Sequence, residues 1–409
     1  MPPAITAQFP KERFVTHAFK ARRIDSIDLI RGAVMIIMAL DHVRDYFHYD
    51  AFMYDPTDLT HTNGFLFFTR WITHYCAPVF VFLAGISAYL YGAKKTRKEL
   101  AAYLLSRGLW MILVELFIIS LGRTFNPAYP FFNLQVIWAI GISMITLSGL
   151  IYLKRPAILT IAILLIAGHN LLDGVHVPGN GLGAFLWAVL HEPHLFIFGH
   201  FKVNVLFPVI PWIGIMALGY YLGFLFSSHY NRDRRINVLF FLGFSATSLF
   251  FFLRLYNIYG DASLWSAQRT VSFSLISLLN VTKYPPSLLY SLMTLGPAMI
   301  FMALAEAPLN FITEKMVVFG RVPFFYYVLH IYLIHLLAVI AASMTGYHWS
   351  DMILNTRVNQ VPGLKGYGFN LLTVYAVWIL LILTLYPFCK WYERYKRVHQ
   401  SGRWWLSYV

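Results

Sequence analysis

The chain alternates between long apolar runs and short polar breaks. Residues 79–90, 111–121, 158–166, 205–226, 238–253, 288–304, 328–342 and 371–385 carry almost no charge. Extended to the nearest polar or turn residues, several of these runs reach the roughly 20 residues that cross a bilayer as a helix. The pattern predicts about ten spans, at 27–46, 65–92, 101–122, 133–153, 156–172, 205–227, 236–256, 284–306, 317–344 and 368–390. The expected fold class is all-α, a polytopic integral membrane protein with its helices in one bundle. It divides into a cytoplasmic N-terminal segment (1–26), a transmembrane domain (27–392) and a cytoplasmic C-terminal tail (393–409). Among the connections, 173–204 is turn-rich at its start and then apolar and aromatic, which predicts a packed lid rather than a disordered loop. A faint echo links "PVFVFLAGISAYLYG" in the second span with "PVIPWIGIMALGYYLG" in the sixth.

Composition places this pattern in a membrane. Hydrophobic residues make up 58% of the chain and charged ones 12%, about half the charge density of a soluble domain. With the N-terminus inside, the inward-facing segments and the inner end of the first helix hold 23 of the 32 Lys and Arg residues. The net charge of +14 is then a topology signal with both termini cytoplasmic. The basic residues are scattered among short loops, so no nucleic-acid partner is expected. Cys76 and Cys389 sit too far apart along the pattern to suggest a disulfide. The first apolar run follows 26 polar or mixed residues without a cleavage signal, so it is expected to remain as a working helix.

Ionisable groups inside spans are costly and point to a pathway or a site. Residues 37–49 read "IMALDHVRDYFHY", placing Asp41, His42, Arg44, Asp45 and His48 at the outer end of the first helix. Arg70 and His74, four apart on the second span, fall at similar depth and share a face. Asp41, Asp45 and His48 share a stripe of their own. Plainer roles exist for each: Arg44 can pair with Asp45, His48 and His61 can be solvated, and Asp28 can pair with Arg31. Alternatively, Arg31 can meet a phosphate entering from the cytoplasm. Ser26 is the expected cap of the first helix. His191 and His194 are spaced for a metal, but Pro193 interrupts any helix there and no third ligand is evident, so no metal is expected. His330 and His335, five apart, point to different faces of the ninth span.

Three strings carry a resemblance. Ser26-Ile27-Asp28-Leu29-Ile30-Arg31-Gly32, "APVFVFLAGIS", and Gly320-Arg321 followed by Tyr327-Val328-Leu329-His330 resemble segments of the heparan-α-glucosaminide N-acetyltransferase family, within the wider transmembrane acyltransferases. "DHVRDYFH" with "TRWITHYCAPVFVFLAG" is similar to its bacterial branch. The resemblance implies an enzyme that takes an acetyl group from cytoplasmic acetyl-CoA, a co-substrate, and delivers it to an acceptor across the membrane. It also implies a catalytic histidine in the loop after the first span, within an H-x-x-W-N-G motif. Here the nearest string is His61-Thr62-Asn63-Gly64, shorter and without Trp, while the family's asparagine near the outer end of the first span is replaced by His42. His42, His48 and His61 are thus the candidate bases, His42 foremost.

A thioester is already activated, so the enzyme must mainly align a nucleophile and remove its proton, which histidine does near neutral pH. Asp45, three residues after His42, is the expected orienter, with Asp41 adjacent and His74 as a further polar group. A covalent acetyl-histidine is the other route. The expected donor-binding set is Asp28, Arg31, Gly32 and His330. Arg31 and His42 are separated by about 16 Å of helix, comparable to an extended pantetheine arm. The expected partners are the lipid bilayer and a sugar or amino-sugar acceptor, with a homo-oligomer left open, and the expected location is the bacterial inner membrane. The competing class is a proton-coupled transporter or permease of a small polar solute, for which buried His, Asp and Arg serve equally.

Overall fold

The computed structural model describes residues 24–399 with Arg403 and Leu406, so the expected terminal segments lie largely outside the described residues. It is mostly helical. Each predicted span contains a helix. Helix α1 (Asp25–Phe47) opens with Asp25 and Asp28 in its first turn, where carboxylates oppose the positive end of the helix dipole. The expected cap is corrected: Ile24 occupies the cap position, and Ser26 instead donates to Glu306 Oε1 at 2.7 Å. Helices α2 (Gly64–Trp71) and α3 (Cys76–Gly92) are joined by a 3₁₀ turn. Helices α4 (Arg97–Leu113) and α5 (Ser120–Thr124) are joined by a π turn, Val114–Ile119.

Strand β1 (Phe131–Leu134) then precedes α6 (Val136–Leu150), α7 (Arg155–Ala167) and α8 (Leu182–Leu190). Strands β2 (His194–Phe198) and β3 (Phe201–Val205) lead into α9 (Ile210–Leu222), α10 (Arg232–Leu255), α11 (Val271–Leu279) and α12 (Leu288–Leu304). Helices α13 (Phe311–Arg321), α14 (Pro323–Met344) and α15 (Leu371–His399) complete the order.

Among the described residues, five helical stretches are long and apolar enough to cross a membrane: Gly64–Gly92, Arg97–Thr124, Arg232–Leu255, Pro323–Met344 and Leu371–His399. Four others are apolar but shorter. The ninth predicted span divides at Pro323, which cannot donate to the preceding turn and starts α14 afresh. The fourth begins late because 131–134 is a strand.

α1 packs against α3, α13, α14 and α15. Its crossing with α13 is nearly backbone on backbone. A Cβ on Gly320 would lie 1.8 Å from the Asp28 carbonyl oxygen, and one on Gly32 2.0 Å from that of Met316. The echo between the second and sixth spans is not repeated in packing. Gly85 meets Met216 and Tyr220 of α9, whereas its counterpart Gly214 meets Ala162, Leu165 and Ile166 of α7.

The 173–204 connection is not a simple lid. It folds as α8 and the β2–β3 hairpin, and β3 pairs in parallel with β1 from Phe131↔Lys202 to Leu134↔Val205. Cys76 and Cys389 are both free and buried.

Candidate active site

The C-terminal half of α1 faces a cavity of about 220 Å³. Asp41, His42, Arg70, Arg123, Tyr284 and Arg357 line it, and residues 51–56 and 356–359 stand where the 173–204 segment was expected to close. The sheet contributes a wall through Phe131 and Asn133, the latter held by a buried hydrogen bond from Asn204 Nδ2 at 2.6 Å. The loop carrying Arg357 is pinned to the end of α5, where Leu354 N donates to Thr124 O at 2.8 Å.

His42 is the most constrained of these groups. Its Nδ1 lies 2.8 Å from His330 Nε2, and its Nε2 lies 3.2 Å from an Arg123 amino nitrogen. The direction of these bonds can be deduced. His330 Nδ1 faces the Tyr326 carbonyl oxygen at 3.0 Å, and a carbonyl can only accept. His330 Nδ1 is therefore the donor, which leaves Nε2 of a neutral His330 as an acceptor. His42 must donate to it from Nδ1. The lone pair of neutral His42 then sits on Nε2, on the cavity side, where Arg123 donates to it. A backbone carbonyl one helical turn before His330 thus fixes the tautomer of the histidine that faces the cavity.

The site departs from sequence expectation at several residues. Asp45 lines the cavity but makes no hydrogen bond to His42; it accepts from Arg44 at 2.5 Å. Asp41 is clamped by Arg44 at 2.9 Å, Arg70 at 2.6 Å and Thr73 at 2.9 Å, so the first two helices do meet, through an ion pair at the cavity wall. His330 is not near the Arg31 end. It sits against His42, about three helical turns along α1 from Arg31.

Gly32 is closed off by the α13 backbone and so serves helix packing. Asp28 and Arg31 do pair, at 2.9 Å, and Arg31 also donates to Ser87 Oγ and the Gly320 carbonyl. His48 ends α1 and is buried; its Nδ1 accepts from Asp50 N at 3.2 Å, and burial pushes its pKa down. His74 is buried against Tyr290 beneath the cavity and does not line it. His61 is exposed and pairs with Asp58 at 2.8 Å; that hydrogen bond, with those from Thr60, holds the Asp58 carboxyl at about 2. The neighbouring Asn63 caps α2 by accepting from Leu66 N at 3.0 Å, so the His-Thr-Asn-Gly string is here a helix start.

Arg123, Glu115, Tyr284 and Arg357 were not anticipated. Glu115 lies on the π turn, fully buried, with Oε2 accepting from Trp138 N at 3.1 Å and Oε1 without a hydrogen-bond partner. π turns interrupt helices at functional sites more often than elsewhere. A lone carboxylate within "MILVELFIISL" was the available signal for it. Arg123, one residue before the end of α5, gave the same signal at the end of the third span.

The family model described as "Heparan-alpha-glucosaminide N-acetyltransferase, catalytic" matches residues 23–257, more than half of the chain. The chain belongs to this family. The match takes in α1 to α10, and so His42, Glu115 and Arg123, while His330 and Arg357 come from the helices and loop beyond it. No curated protein matches the chain. Membership in the heparan-α-glucosaminide N-acetyltransferase family supports an acetyltransferase set among apolar helices.

Proposed function

We propose that the protein transfers an acetyl group from acetyl-CoA, bound at the Arg31 end of α1, to a sugar or amino-sugar acceptor in the cavity at the other end. The observation that carries this reading is the tautomer of His42, whose unprotonated Nε2 points at the cavity. The acceptor's amine or hydroxyl attacks the thioester carbonyl carbon, and its proton passes to His42 Nε2 as the Arg123 guanidinium shifts its hydrogen bond from that lone pair to the developing oxyanion. The carbon–sulfur bond breaks, and the departing thiolate takes that proton, so His42 returns to its starting state. His330 Nε2 accepts from the imidazolium while it exists. Arg123 is within reach of the oxyanion; its Nε is buried without a hydrogen-bond partner, a donor still to be used. The polar lining favours a polar acceptor, and His42 in the role of base replaces the family's loop histidine.

About 16 Å of helix separates Arg31 from His42, which suits an extended pantetheine arm. The apolar runs support ten spans, the charge pattern supports cytoplasmic termini, and the likeness of "DHVRDYFH" to the family's bacterial branch supports a bacterial inner membrane. The test is direct: purified protein is mixed with acetyl-CoA labelled in the acetyl group and with glucosamine. Label should appear in the sugar. A protein that binds neither compound and transfers no label would favour the transporter reading.

A further inference from the structure

A second polar cluster lies beside the cavity, outside the transfer chemistry. His169, in the 3₁₀ turn after α7, Asp173, just beyond that turn, and His191, just after α8, bring one ligand atom each to within 4.8 Å of one another. Both histidines are 2% exposed. His191 Nε2 is 3.2 Å from Asp173 Oδ1, and the two imidazoles meet edge to face with centroids 5.6 Å apart. An ion pair would account for His191 and Asp173, but not for His169. Apart from a weak contact with the Pro286 carbonyl, neither nitrogen of His169 has a hydrogen-bond partner. Buried imidazoles are normally satisfied, so such a group needs a ligand.

Asp173 is held for the purpose. Asn170 Nδ2 donates to its Oδ2 at 2.9 Å, leaving Oδ1 turned towards the histidines. The carboxylate is partly exposed and opens on a space of about 180 Å³ that shares Tyr284 with the acceptor cavity.

We propose that His169, Asp173 and His191 bind a divalent transition-metal ion, with zinc the best match to two imidazoles and one carboxylate. The opening beside Asp173 leaves a fourth position for water. The ion would tie the turn after α7 to the end of α8, bracing the wall that carries Tyr284. His194, the partner suggested by sequence spacing, is not part of the set. Pro193 ends helical geometry, and His194 enters β2 opposite Val205 with its ring against Phe196.

The test uses full-length protein purified through a histidine-free tag, stripped with chelator, reloaded with zinc chloride and desalted. Elemental analysis should find one zinc per chain, and zinc should raise the unfolding temperature. His169→Gln and Asp173→Asn should each lose the bound zinc and the thermal shift, whereas His194→Gln should keep both. Affinity in the two ligand variants should fall at least about 10–100-fold, the loss typical of a second-shell partner alone. Asp173→Asn decides the matter if His169→Gln does not fold, because position 173 is the least buried of the three. Zinc far below one per chain in the native protein, or zinc retained by Asp173→Asn, overturns the proposal. Loss of zinc in His194→Gln with retention in His169→Gln would assign the metal to a different set.

Discussion

At the scale of single residues, the site rests on which nitrogen of His42 carries its proton. His42→Ala should lower turnover by roughly the 10²–10⁴-fold expected of a general base. His330 acts through His42, so it is a positioning residue, and its effect should be non-additive. In steady-state kinetics, the double variant His42→Ala/His330→Ala should be no slower than His42→Ala alone, although His330→Ala is itself slower than the native enzyme. Additive losses would mean that His330 supports only the fold. His48→Ala should stay active. At the other end, Arg31→Ala should raise the acetyl-CoA concentration needed for half-maximal rate while the protein stays folded; unchanged donor affinity would leave Arg31 as the ion-pair partner of Asp28. His42 was legible because an imidazole deep in an apolar span is conspicuous. Its true neighbours were not, since a helical wheel shows what shares a face on one helix and says nothing of α14 or α5, which supply His330 and Arg123. For the same reason Asp45, correctly spaced on its own helix, was given a role that Arg44 takes from it.

At the scale of elements, hydrophobic runs placed a helix in every expected span, because apolar length is written locally in the chain. Breaks within those helices were harder to see. The 3₁₀ and π turns depend on what packs alongside, whereas Pro323 was a local signal for the division of the ninth span. The aromatic 173–204 segment became a helix and hairpin because β1, some 70 residues before its partner β3, offered an edge to pair with. The crossing of α1 and α13 provides a test. Gly320→Ala should cost about 1–3 kcal/mol through overpacking, seen as a lower unfolding temperature. Gly149→Ala, where nothing lies within 4 Å of the added carbon, should leave that temperature unchanged or raise it.

At the scale of the whole molecule, charge asymmetry along the sequence supports one orientation, with the acceptor cavity outward and the Asp28–Arg31 end inward. In sealed vesicles of known sidedness, an impermeant amino sugar should be acetylated only from the outer face, with acetyl-CoA supplied within; acetylation of sugar confined with the donor would reverse the assignment. Fold class was legible because membrane solvent forces composition. The cavity was not, since it is built from residues between positions 41 and 359 that only the packed helices bring together. The burial of both native thiols has a practical consequence. Water-soluble maleimides should leave the native chain essentially unlabelled, so reporter cysteines can be introduced one at a time without first removing Cys76 and Cys389. Met53→Cys, exposed beside the cavity, and Lys95→Cys, exposed at the opposite ends of the helices, would then form a matched pair of probes for mapping the protein in living cells.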